Sequence, residues 1–129
     1  MSATPNLPGP LSELTEACDI YETALMENDL DRLDALFWDS PLTLRYGVGE
    51  NLYGIDEIRD FRKGRTGGSP QRDVVRREIV TFGDNIGICN LEFRRRGGDR
   101  IGRQSQTWMK TDEGWRVVSA HVSLMQETS

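Results

Sequence analysis

Two side chains in the first half of this 129-residue chain are of types that move protons and hold anions. Tyr21 falls on the apolar stripe Leu14, Cys18, Tyr21 and Leu25, whose steps of four, three and four mark one face of a helix. Its ring therefore turns inward, and its hydroxyl needs a partner or a cavity. A phenol so placed is either a core tyrosine with a satisfied hydroxyl or a proton and hydrogen-bond donor to a ligand. Arg45 alternates with Leu44 and Tyr46 and points away from both. It is an exposed group if those two pack beneath a sheet. If they face a partner subunit, it is an anchor that grips an anion through its planar fork.

Two polar ladders follow. Asn90 and Glu92 alternate along one extended segment, and Gln104, Gln106 and Trp108 alternate along the next, with Arg103 and Ser105 opposite. Amide side chains carry both donors and acceptors, which suits a urea-like ligand; a solvated or interface face fits the same pattern. His121 is the single histidine and by strict alternation shares a face with Trp115, Val117 and Ser119, which reads as structural or interfacial. Cys18 and Cys89 read as buried, reduced thiols, and no Cys/His/Asp cluster has metal-ligand spacing, so neither a metal nor a cofactor is expected. Gly47, Gly49 and Gly54 lack the lysine and helix of a phosphate loop, and Ser105 has no neighbouring base. Arg94 to Arg96 run into a turn and read as solvated.

The elements that must position these residues are legible in outline. Residues 1–10, with Pro5, Pro8 and Pro10, read as a flexible arm ahead of a single domain over 11–129. A helix runs from Leu11, with Ser12 as its cap, to the break at Asn28-Asp29. A short second helix carries Leu30, Leu33, Leu36 and Phe37 and stops at Ser40-Pro41. A strand over 42–46, a glycine-punctuated loop and a third helix through Ile55, Ile58 and Phe61 come next. The last part alternates in four segments, 74–82, 86–96, 101–110 and 115–125, separated by turn residues such as Gly83-Asp84-Asn85. Helices first and a bent meander last predict an α+β cone, its N-terminal helices packed on a curved antiparallel sheet.

Charge is distributed unevenly. Residues 1–60 carry 13 acids against three bases, and the remainder carries eight acids against 13 bases; 14 of the 16 bases are arginine. The pattern reads first as an acidic helical half lying on a basic sheet half, and second as a basic pocket for a small anion. A net charge of −5 argues against nucleic-acid binding, and the short apolar runs exclude a transmembrane helix. With no basic, apolar leader at the start, a cytoplasmic location is expected.

The segments ENDLDRLDALFWDSPLTLRYGVGENLYG (27–54) and RIGRQSQTWMKTDEGWRVVSAHVSLM (100–125) resemble the AtzH-like family, within the NTF2/SnoaL-like superfamily of cystatin-like α+β cones. More weakly, the C-terminal segment resembles the association domain of calcium/calmodulin-dependent kinase II, in which Asn90 and Gln106 correspond to pocket-lining positions. Two apolar faces on the last strand, Trp115, Val117 and His121 on one and Val118, Ala120, Val122 and Leu124 on the other, call for a partner subunit on the outer sheet face. The family resemblance implies a small metal-free homodimer. It also implies a decarboxylating amidohydrolase activity on a carboxylated urea, with Tyr21 and Arg45 at its catalytic positions. Asn90, Glu92, Gln104, Gln106 and Trp108 are then candidates for substrate binding. The alternatives are a non-catalytic carboxylate-binding or oligomerisation module and, less in keeping with so many arginines, an acid-base isomerase using Glu92.

Overall fold

The computed structural model describes residues 3–65 and 67–126. Helix α1 (Pro8–Glu27) begins three residues before the apolar stripe suggests, because a proline at the first helical position already holds a helical φ. Leu7 stands at its N-cap and Ser12 lies inside it. Residues of the expected arm are tied down instead: the Asn6 N–H donates to the Thr81 carbonyl at 3.0 Å, and the Thr81 N–H donates to Asn6 Oδ1 at 3.0 Å. Met1 and Ser2 lie outside the described residues. Asn28 ends α1 in the left-handed region (φ 56°), its N–H reaching the Ala24 and Leu25 carbonyls. Asp29 then caps α2 (Leu30–Leu36) by accepting the Arg32 N–H at 3.2 Å.

After α2 the chain runs alongside the last strand, with the Trp38 N–H bonded to the Val117 carbonyl. Strand β1 (Leu44–Tyr46) therefore pairs parallel to β6 (Gly114–Leu124) and antiparallel to β2 (Asn51–Tyr53), so the sheet is mixed rather than purely antiparallel. The stretch read as a glycine loop is the β1–β2 hairpin. Helix α3 (Ile55–Gly64) follows, then β3 (Arg72–Phe82), β4 (Ile86–Arg95) and β5 (Ile101–Thr111). The six strands lie in the order β2-β1-β6-β5-β4-β3. The three helices pack on one face of this sheet, burying Leu14, Leu33, Phe37 and Ile58 against Trp108 and Val117.

A bulge changes the reading of β6. Thr107 pairs with Ser119 but Trp108 pairs with Val117, leaving Val118 as an extra residue. Trp115 and Val117 before it, and Ala120 and Val122 after it, are consequently all buried on the inner face, while His121 turns outward. The strict alternation that put His121 with Trp115 and Val117 is thus wrong, and with it the argument that β6 has two apolar faces.

The charge asymmetry is in part internal. Arg77 binds Asp19 at 2.6 Å, Arg72 binds Glu22 at 2.7 Å and Lys110 binds Glu13 at 2.9 Å, each pairing the sheet with α1. No described helix is long and apolar enough to cross a membrane.

Candidate functional site

Between α1, α3 and the inner face of the sheet lies a cavity of about 360 Å³. Tyr21 and Leu25 of α1 and Ile58, Phe61 and Arg62 of α3 form one wall; Phe93, Gln104 and Val122 form the sheet wall. The β1–β2 hairpin contributes Arg45, Glu50 and Leu52, and Arg65, Arg72 and Arg95 complete the lining arginines.

The helical stripe delivers Tyr21 as anticipated. Its ring meets Trp108 edge-on at 6.3 Å and Phe37 at 6.2 Å, and its hydroxyl has no protein hydrogen-bond partner among the described residues. Arg45 also enters the cavity, because its register partners on either side, Leu52 and Ala120, are inner-face residues. Its Nη1 donates to Glu50 Oε1 at 3.0 Å.

The ladders divide. Gln104 lines the cavity, but its carbonyl oxygen accepts from Arg72 Nη1 at 3.2 Å, so what it offers a ligand is its NH₂. Gln106 and Trp108 share that inner face but lie behind the cavity wall, fully buried and bonded to each other, the indole N–H donating to Gln106 Oε1 at 3.1 Å. Asn90 and Glu92 pair across from Ser105 and Arg103 and are exposed on the outer face, away from the cavity. Asn90 there accepts a hydrogen bond from Ser105 at 2.6 Å. Their neighbours Cys89, Leu91 and Phe93 take the inner positions because they are the apolar members of the alternation.

Sequence reasoning pointed to a basic pocket without naming its residues. Arg72 is nearly buried: Nε and Nη2 hold Glu22 at 2.9 and 2.7 Å, and the guanidinium stacks 4.5 Å from the Phe93 ring centroid. Arg62 lies over Phe37 and pairs with Asp34 at 3.4 Å. Burial lowers the Arg62 pKa, opposed by the nearby Tyr21 and Asp34, and burial raises that of Asp34. Arg65 sits 4.8 Å from the Phe61 ring and donates to Ser69; burial and then the charge of Arg45 hold its pKa below the usual arginine value. Five guanidinium groups therefore line one cavity. Three have carboxylate partners (Glu50, Asp34 and Glu22), and among the described residues Arg65 and Arg95 have none.

Cys18 and Cys89 are buried in the core beneath the helix, the Cys18 thiol pushed up by its hydrogen bond to Cys89 and by burial. Among the described residues no group of three or more His, Cys, Asp or Glu side chains gathers as a metal site.

Comparison with known proteins places this architecture. A profile for the AtzH-like family matches residues 4–128. A crystal structure of a Pectobacterium atrosepticum protein of unknown function is 48% identical, with a TM-score of 0.91 and 95% of each chain covered. A cystatin-like fold protein from Burkholderia xenovorans is 36% identical, with a TM-score of 0.92 over 98% of this chain and 99% of that one. An NTF2-like superfamily protein from Salmonella enterica is 25% identical, with a TM-score of 0.74 over 92% of each chain. No protein with a curated description matches. The chain belongs to the AtzH-like family and has the NTF2-like, cystatin-like α+β fold.

Proposed function

We propose that this member of the AtzH-like family is a small decarboxylating amidohydrolase acting on a doubly carboxylated, urea-like anion. The supporting observation is that Tyr21 and Arg45 open into one cavity whose guanidinium groups outnumber their carboxylate partners by two. Two uncompensated cations in a partly enclosed site favour a ligand with two negative charges. Amide donors such as the Gln104 NH₂ suit the carbonyl of a urea.

The chemistry assigns the residues different tasks. A salt bridge to the departing carboxylate stabilises the ground state more than the transition state and slows its loss. Arg45 therefore holds the carboxylate that stays, or the urea carbonyl oxygen where charge develops. As the N–C bond to the other carboxylate breaks, its electron pair remains on nitrogen and the carbon leaves as carbon dioxide. The Tyr21 hydroxyl delivers a proton to that nitrogen, and solvent later reprotonates the phenolate. Arg62 shares one wall of the cavity with Tyr21.

A homodimer through the outer sheet face belongs to the same proposal. Phe82 and Ile86 are cross-strand partners 39% and 38% exposed, and Tyr46 stacks edge-on with Tyr53 and with His121 at 6.3 and 5.6 Å. A stable monomer in light scattering would remove this part.

The function is tested by incubating the purified protein with freshly prepared dicarboxyurea and following carbon dioxide release. Release above the spontaneous rate is expected. Thermal stabilisation by the compound without release would make the protein a carboxylate-binding module instead.

A further inference from the structure

We propose that Glu50 is a positioning residue for Arg45, forming with it a clip across the β1–β2 turn that presents the arginine fork to a bound carboxylate. The inference rests on the reading of Arg45 as an anion anchor. Among the described residues Glu50 is the one carboxylate lining the cavity, and it is on Arg45 that it sits.

The turn is shaped around that carboxylate. The Gly47 N–H donates to the Glu50 carbonyl at 2.8 Å and closes the hairpin. Glu50 Oε1 takes Arg45 Nη1 at 3.0 Å, while Oε2 takes the Gly49 N–H at 3.1 Å, so both carboxylate oxygens are engaged within six residues of chain. A methyl group added at Gly47 would overlap the Glu50 carboxylate, although the Gly47 backbone is not in the left-handed region. Glycine at 47 is therefore required for the side chain of Glu50 and not for the turn itself. One of the five N–H donors of Arg45 is spent on this contact, which leaves the remainder of the fork for a ligand. With Glu50 retained, two uncompensated guanidiniums remain in the cavity, so a dianion does not need to displace it. An arginine side chain held in advance loses less freedom when a ligand arrives.

Gly47→Ala is the direct test, since it evicts the Glu50 carboxylate while keeping every charge and a permitted backbone. Malonate, a stable dicarboxylate, serves as the probe in calorimetry. Its affinity is expected to fall roughly tenfold in Gly47→Ala and in Glu50→Ala, the effect of freeing one long side chain. Glu50→Gln, which keeps an acceptor oxygen, is expected to stay closer to wild type. The Gly47→Ala/Glu50→Ala double variant should be no weaker than either single, because both act through one contact. Malonate binding that is unchanged or tighter in Glu50→Ala overturns the proposal and makes Glu50 a competitor for the site. A ligand-independent readout accompanies it: phenylglyoxal modification at Arg45, mapped by peptide mass spectrometry, should accelerate in both single variants, and an unchanged rate overturns the proposal. Failure of carbon dioxide release with these effects intact would count against the enzymatic reading alone.

Discussion

The Tyr21 ring is wedged between Phe37 and Trp108, so its packing and its hydroxyl can be separated. Tyr21→Phe keeps the ring and is expected to fold and bind malonate like wild type while its turnover of dicarboxyurea falls roughly 10²–10³-fold; steady-state rates beside calorimetry check this. Arg72 acts differently. It neutralises Glu22 in a site where neither group is well solvated, their side chains being 6% and 19% exposed. Arg72→Met leaves that carboxylate unpaired and is expected to cost on the order of 3 kcal/mol in urea unfolding, most of it recovered in the Glu22→Leu/Arg72→Met double variant. Residue by residue, legibility followed sequence distance. The inward turn of Tyr21 is written in its own helical stripe. Arg45 had two possible directions, and the parallel neighbour β6 decides between them. Arg72 was invisible as a site residue because Glu22 and Gln104 are 50 and 32 positions away.

At the scale of elements, the hairpin turns of the meander carried a strong local signal and the four strands fall where they were read. What alternation does not contain is a change of phase. The extra residue Val118 shifts the second half of β6 by one, which returns Ala120 and Val122 to the inner face and turns His121 out. Nor does alternation say which rung of one strand meets which rung of the next: Asn90 faces Ser105 rather than Gln104 or Gln106, which removes it and Glu92 from the cavity. The short β2 was hidden among glycines that read as loop. One position couples an element to its neighbour closely: a methyl group at Gly87 in β4 would collide with Leu14 of α1, itself fully buried. Gly87→Ala is expected to loosen α1 from the sheet at a cost of about 1–3 kcal/mol, read as a lowered melting temperature with Tyr21 and its wall displaced.

Across the whole molecule the acidic helices and basic strands neutralise one another at α1, and the arginines left over gather at the cavity. The composition showed the asymmetry; only the fold distributes it between a scaffold and a site. One scaffold contact has a defined pH signature. Glu13 accepts from Lys110 and from the Trp115 indole, in that order of effect, and its carboxyl is held below the usual value of 4.5. A lowered carboxyl pKa stabilises the fold above the unfolded value and loses that contribution as pH falls through the folded one. The stability gap between wild type and Glu13→Gln is therefore expected to be full near neutrality and to close progressively below about pH 4.5, by chemical unfolding at a series of pH values. A gap that widens in acid would contradict the assignment.

The most direct test of the central claim, that Tyr21, Arg45 and the unpaired arginines form one anion site, is a crystal structure of the protein with malonate. Malonate is expected inside the cavity, one carboxylate on Arg45 beside Glu50 and the other toward Arg65 and Arg95, with the Tyr21 hydroxyl within reach. Malonate bound only on the outer sheet face, at Arg103 and His121, with the cavity empty at saturating concentration, would contradict it.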